Sequence, residues 1–102
     1  MSVNIQASEE AVTAYISGEI DHHTAKGMRE EIDNCLERMQ PGILVLDFRD
    51  VSFMDSSGIG LVIGRYKLMQ ELGGEVRVAH PSAHIYKVMK LAKLDQLAVI
   101  EQ

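Results

Sequence analysis

Two short stretches hold the residue types that could do chemistry. "FMDSSGIG", residues 53–60, sets Asp55, Ser56 and Ser57 directly before Gly58 and Gly60, and "DHHTA", residues 21–25, sets Asp21 beside His22 and His23. A serine at a strand-to-helix junction suggests a hydrolase nucleophile, but that elbow requires glycine two residues to either side. Ser56 has Met54 at the earlier position, Ser57 has Asp55, and no histidine is placed by sequence to act as base. A phosphate-cradling loop also fails on spacing. After Gly58 and Gly60 the next glycine is Gly64, one place late for a dinucleotide fingerprint, and Arg65 stands where a P-loop has its lysine context. Adjacent histidines on a helix point about 100° apart, and "HPSAH" carries Pro81 where a zinc protease needs glutamate. Solvent-exposed imidazoles, with no metal and no cofactor, are the reading for His22, His23, His80 and His84.

The hydroxyl pair remains. Ser56 falls where a helix N-cap belongs, so its oxygen is expected to accept a backbone N–H one turn on. Ser57 then lies in the first turn, free of capping duty, near the surface and at the positive end of the helix dipole, where a phosphate is tolerated. A phosphoserine adds about −1.5 to −2 charges, and pressing that against a docked neighbour costs desolvation. From the residues alone, simple capping and a phosphorylation switch at Ser57 both stand.

These stretches need a scaffold. "VNIQ" and "TAYISGEI" alternate with period two around a turn at "ASEEAV", which predicts neighbouring strands. Ala25, Met28, Ile32, Cys35, Leu36 and Met39 recur at steps of three and four, opposite Lys26, Arg29, Glu30, Asp33 and Glu37. That is an amphipathic helix, capped by Asp21 or Thr24 and ended by "QPG". "GILVLDF" reads as a central strand covered on both sides. Ile59, Val62, Ile63, Tyr66, Met69 and Leu72 form a second helical stripe, stopped by Gly73 and Gly74. "EVRVAH" is a strand ended by Pro81, Ile85, Val88, Met89 and Ala92 mark a third helix, and "LAVI" a last strand. The order β-β-α-β-α-β-α-β predicts an α/β fold: a small mixed sheet of about five strands with parallel members joined by right-handed helical crossovers.

Composition narrows the function. At 102 residues, with no linker, repeat or low-complexity segment, the chain reads as one domain over residues 1–102. Without tryptophan and with few aromatics, its core must be built from aliphatic residues and methionine, which argues against a large aromatic ligand pocket. The net charge is −5, with 4 basic and 11 acidic side chains in residues 1–55, so nucleic acid is a poor partner. Cys35 is the only cysteine, which excludes an internal disulfide, and its apolar neighbours predict a buried thiol. No apolar run reaches the roughly 18 residues of a membrane helix and no secretion signal is present, so a cytoplasmic location is expected.

"FMDSSGIG" followed by "GRYK", and "SGEIDHHTA" leading into the first helix, closely resemble the anti-sigma factor antagonists, in particular their sporulation branch. The resemblance implies the STAS fold and a protein that is not an enzyme. In that family the unphosphorylated antagonist binds an anti-sigma factor that is also a serine kinase, and so frees the sigma factor. The kinase then phosphorylates the antagonist and dismisses it, and a PP2C-type phosphatase reverses the mark. Matching motif positions makes Ser57 the phosphoacceptor. Asp21, His22, Met54, Asp55, Ser56, Ser57, Gly58 and Gly60 form the implied partner-binding patch of a protein that is monomeric when free. Two other readings keep the fold: an antagonist in a general stress switch, and an STAS module that binds a small ligand or nucleotide itself. Ala92 and Lys93 depart from the family's usual glycine turn, which leaves the end of the third helix open, and relatives often continue past the last strand with another helix.

Overall fold

The computed structural model describes residues 3–102. Strands β1 (Val3–Ala7) and β2 (Ala11–Ile20) pair antiparallel, and α1 (Ala25–Met39) leads to β3 (Ile43–Met54). Helix α2 (Ser56–Leu72) leads to β4 (Glu75–Ala79), and α3 (Ala83–Leu91) with a 3₁₀ turn at Leu94–Gln96 leads to β5 (Val99–Glu101). The five strands lie in the order β1-β2-β3-β4-β5, with β2 to β5 mutually parallel. Element types and order match those predicted.

Because each parallel strand joins its immediate neighbour, right-handed crossovers put all three helices against one face of the sheet. The side chains agree: Val12, Ala14, Ile16, Leu44, Leu46, Phe48, Val76 and Val78 alternate along their strands and are almost fully buried. On the opposite face Tyr15 and Val99 are exposed. This corrects the two-sided cover expected for "GILVLDF". Leu44, Leu46 and Phe48 point to the helices, whereas Ile43 and Val45 are only half-buried between flanking strands. An apolar run in a central strand therefore arises here from in-sheet neighbours as much as from a second layer. Cys35 lies buried among the α1 core residues, as its spacing predicted.

Two boundaries position the site. β3 continues past Phe48 to Met54, through polar Arg49, Asp50 and Ser52 that broke the pattern in the sequence. That extension pairs with the end of β2 across two register shifts, bringing Ile20 opposite Met54. At the other end of α2, Gly73 takes φ +81° to terminate the helix, and a Cβ on Gly74 would crowd the Pro41 and Gly42 carbonyls. Helix α3 ends at Leu91, and Lys93 adopts the left-handed conformation (φ 62°) that glycine would fill more easily.

Candidate functional site

The ends of β2 and β3 lie side by side, so the segments that follow them open on the same edge of the sheet; the Asp55 N–H donates to the Ile20 carbonyl at 3.1 Å. After β2, the Asp21 carboxylate accepts the backbone N–H groups of His23 (2.8 Å) and Thr24 (3.0 Å). Thr24 Oγ1 reciprocates by accepting the Asp21 N–H at 3.0 Å and donates to the Glu19 carbonyl at 2.8 Å. Asp21 thus caps the turn leading into α1, and Thr24 supports it. The Thr24 and His23 N–H bonds hold the Asp21 carboxyl below the usual carboxylate range. His22 and His23 are exposed, their rings 3.9 Å apart.

After β3 the cap is Asp55 and not Ser56. The Asp55 backbone is extended (φ −98°, ψ −166°) and its carboxylate accepts the Ser57 N–H at 2.7 Å. Three consecutive residues could cap by type, and pairing decides among them: the bond to Ile20 holds Asp55 at the strand end, so the helix starts one residue earlier than expected. Ser56 becomes the first helical residue and is exposed, whereas Ser57 is half-buried. Two expectations for Ser57 change with it. Ser57 lines a cleft, half-buried, instead of standing clear in solvent, and its N–H is already engaged by Asp55.

The cleft runs between α1 and α2, with a volume of about 330 Å³. On the α1 side, His22 in the preceding turn and Lys26 and Arg29 on the helix follow one another at steps of four and three; on α2, Ser57 is followed three and four residues on by Gly60 and Leu61. The glycines serve different ends. A Cβ on Gly58 would collide with the Met54 side chain, so Gly58 gives the close packing that was expected. A Cβ on Gly60 would meet nothing within 4 Å, so Gly60 leaves the cleft open.

At the floor of the cleft Arg65 is buried and ion-paired with Asp33 of α1. Nη2 donates to Asp33 Oδ2 at 3.1 Å, Nη1 donates to the Leu61 carbonyl at 3.2 Å, and Nε lies 2.6 Å from Oδ1 as a charge contact without good hydrogen-bond alignment. Burial pushes the Asp33 carboxyl above its ordinary range against the pull of Arg65, and pushes the Arg65 guanidinium down. Desolvation outweighs attraction for both partners, so the pair orients the two helices more than it stabilises them.

All the residues of the implied patch, from Asp21 and His22 to Met54 through Gly58 and Gly60, lie at or beside these two strand-to-helix junctions. His80 is elsewhere: at φ 55° after β4, its Nδ1 is 3.2 Å from buried Asp47 and its ring lies beside Arg49. Lys26, Arg29, Asp33 and Arg65 were missed. The sequence put the first three on the solvent side of α1, and only the placement of α2 reveals that this side faces a neighbour. The available signal was the four-three-four spacing of His22, Lys26, Arg29 and Asp33.

A family model described as the STAS domain matches residues 2–102. The chain belongs to the STAS family. This STAS chain is 36% identical over 85 residues to an anti-sigma F factor antagonist of Paenibacillus polymyxa, a match covering 83% of this chain and 73% of that protein. Among solved structures it resembles the anti-sigma factor antagonist SpoIIAA in its unphosphorylated form, with TM-score 0.84 and 28% identity over 98% of this chain and 88% of that one. It also resembles Bacillus SpoIIAA in the phosphorylated form, with TM-score 0.76 and 28% identity over 98% and 91% of the two chains. The five-stranded mixed sheet with three helices is therefore an STAS fold of the SpoIIAA type.

Proposed function

We propose that this chain is an anti-sigma factor antagonist controlled by phosphorylation of Ser57, acting in the cytoplasm as a monomeric single domain. Unphosphorylated, it binds an anti-sigma factor with serine kinase activity and so frees the sigma factor. The docking patch comprises Asp21, His22, Met54, Asp55, Ser56, Ser57, Gly58 and Gly60. The observation that carries this reading is the juxtaposition at one sheet edge of the Asp21 turn and the Asp55–Ser57 helix start, in a chain 36% identical to a named antagonist.

In the dismissing step Ser57 Oγ takes the γ-phosphoryl group of ATP. The bond from that phosphorus to its bridging oxygen breaks, ADP leaves, and the hydroxyl proton passes to the partner's base or to water. A PP2C-type phosphatase returns the serine and inorganic phosphate by hydrolysis. Moving from mostly bound to mostly free takes on the order of 5.5 kcal/mol, and a dianion introduced at an interface centre supplies a large share of it.

The test mixes the chain with its candidate anti-sigma kinase and ATP and maps phosphate by mass spectrometry. Label on Ser57 is expected; label on Ser56 alone, or none, overturns the assignment. In the same system Ser57→Asp weakens kinase binding by on the order of a hundredfold, about 3 kcal/mol, while Ser57→Ala binds like the parent and is not released by ATP. Release of a general stress sigma factor in place of a sporulation one would reassign the pathway and leave the switch intact.

A further inference from the structure

The α1–α2 cleft has a charge balance opposite to that of the chain. The protein carries a net charge of −5, yet Lys26, Arg29 and Arg65 all line the hollow beside Ser57. Arg65 is spent on Asp33 and the Leu61 carbonyl. Lys26 and Arg29 are exposed, and among the described residues neither side chain has a hydrogen-bond or ion-pair partner. Three residues apart on α1, they project from the same face and share the cleft wall with His22, facing Ser57 and Gly60 on α2.

A phosphoryl group on Ser57 would meet unequal surroundings. On the helix side, the Asp55 carboxylate holds the Ser57 N–H, which removes that donor and places a negative charge beside the phosphate. On the cleft side lie two cations without a direct ion-pair partner, Lys26 and, close to the Asp33–Arg65 pair, Arg29, and, because Gly60 has no side chain, open space. Repulsion and attraction therefore point the same way, into the cleft.

We propose that Lys26 and Arg29 are the binding site for the phosphate carried by Ser57, an internal latch that draws the phosphoryl group across the α1–α2 cleft. The latch deepens the Ser57 reading given above. It makes dismissal more than repulsion: the phosphate fills the hollow between the two helix starts and neutralises the two cations at once. Arginine offers a forked pair of donors to phosphate and lysine a point charge, a combination suited to a dianion that swings in from one side.

The experiment needs no kinase. Phosphoserine is installed at position 57 during translation, and the phosphate is titrated by ³¹P NMR. An unperturbed phosphoserine has its second pKa at about 6, and cations in contact favour the dianion. The latched phosphate is expected to titrate at least about one unit lower, a tenfold change in proton affinity. Lys26→Gln with Arg29→Gln, both exposed positions that should leave the fold intact, returns the value to about 6. Lys67→Gln on the exposed side of α2 leaves the shift in place, and so does His22→Asn, which removes the imidazole from the cleft wall while Arg65 stays paired with Asp33. A parent phosphate titrating at about 6 or above overturns the latch; so does a shift that survives the double variant or vanishes with His22→Asn. Failure to label Ser57 with a kinase would sink the functional reading and leave this result standing, and a failed latch would leave the labelling intact.

Discussion

The two helix starts at the sheet edge use one device to different ends. Asp21 before α1 and Asp55 before α2 each accept the N–H two residues on, at 2.8 and 2.7 Å. Asp21 takes a second N–H from Thr24, and Thr24 Oγ1 answers it, so the turn is closed by a reciprocal set of bonds. Asp55 accepts one N–H and is anchored instead by strand pairing to Ile20. The α1 start is a locally determined, self-contained turn; the α2 start is held by another part of the chain, and it is the one that presents the serines. The Ser57 side chain makes no hydrogen bond among the described residues, so the modification proposed above would break none.

The sharpest way to break the comparison is to cut the tie between the helices. Asp33→Ala leaves Arg65 buried without its counter-charge and should cost about 3 kcal/mol in urea unfolding. Replacing both by Met should be near neutral in stability, because desolvation outweighs the pairing. A double replacement as damaging as the single one would contradict that account. Next in size is the cap: Asp55→Ala should lose about 1 kcal/mol, whereas Ser56→Ala should fall within about 0.5 kcal/mol of the parent. The reverse ranking would return the cap to Ser56.

Gly60→Ala should stabilise by up to about 1 kcal/mol through helix propensity, since the new methyl meets open space. Thermal unfolding reads that gain, and any loss of binding to the proposed partner kinase in the same variant reports how closely that partner approaches the cleft. The smallest effect is the acid response of the α1 turn. Because Asp21 has its pKa lowered in the folded chain, its contribution is present above the unfolded value of about 3.9 and is lost as pH falls through the folded one. Carboxyl NMR should find Asp21 titrating below that value, with the His23 and Thr24 amide signals moving together with it. Titration at or above it would contradict the cap.

Much of the fold was legible because periodicity reports which face of an element is buried. The helical steps from Met28 to Leu36 and the stop at Gly73 needed no partner to be read. The far half of β3 was not legible, since Arg49, Asp50 and Ser52 break the alternation and only pairing with β2 keeps them in a strand. The implied patch was assembled from motif likeness, and its residues lie together at one edge. Its basic wall was missed for the same reason as the β3 extension: Lys26 and Arg29 look like solvated charges until a second helix is set opposite them.

By itself, the sequence determined the order of elements, the aliphatic core and the adjacency of an acid and two hydroxyls at a helix start, all of which follow from local pattern and residue type. Only the tertiary structure decided which acid or hydroxyl caps, which serine lines the cleft and which cations face it. Those depend on the register between β2 and β3 and the facing of α1 on α2, long-range relations that no local spacing encodes.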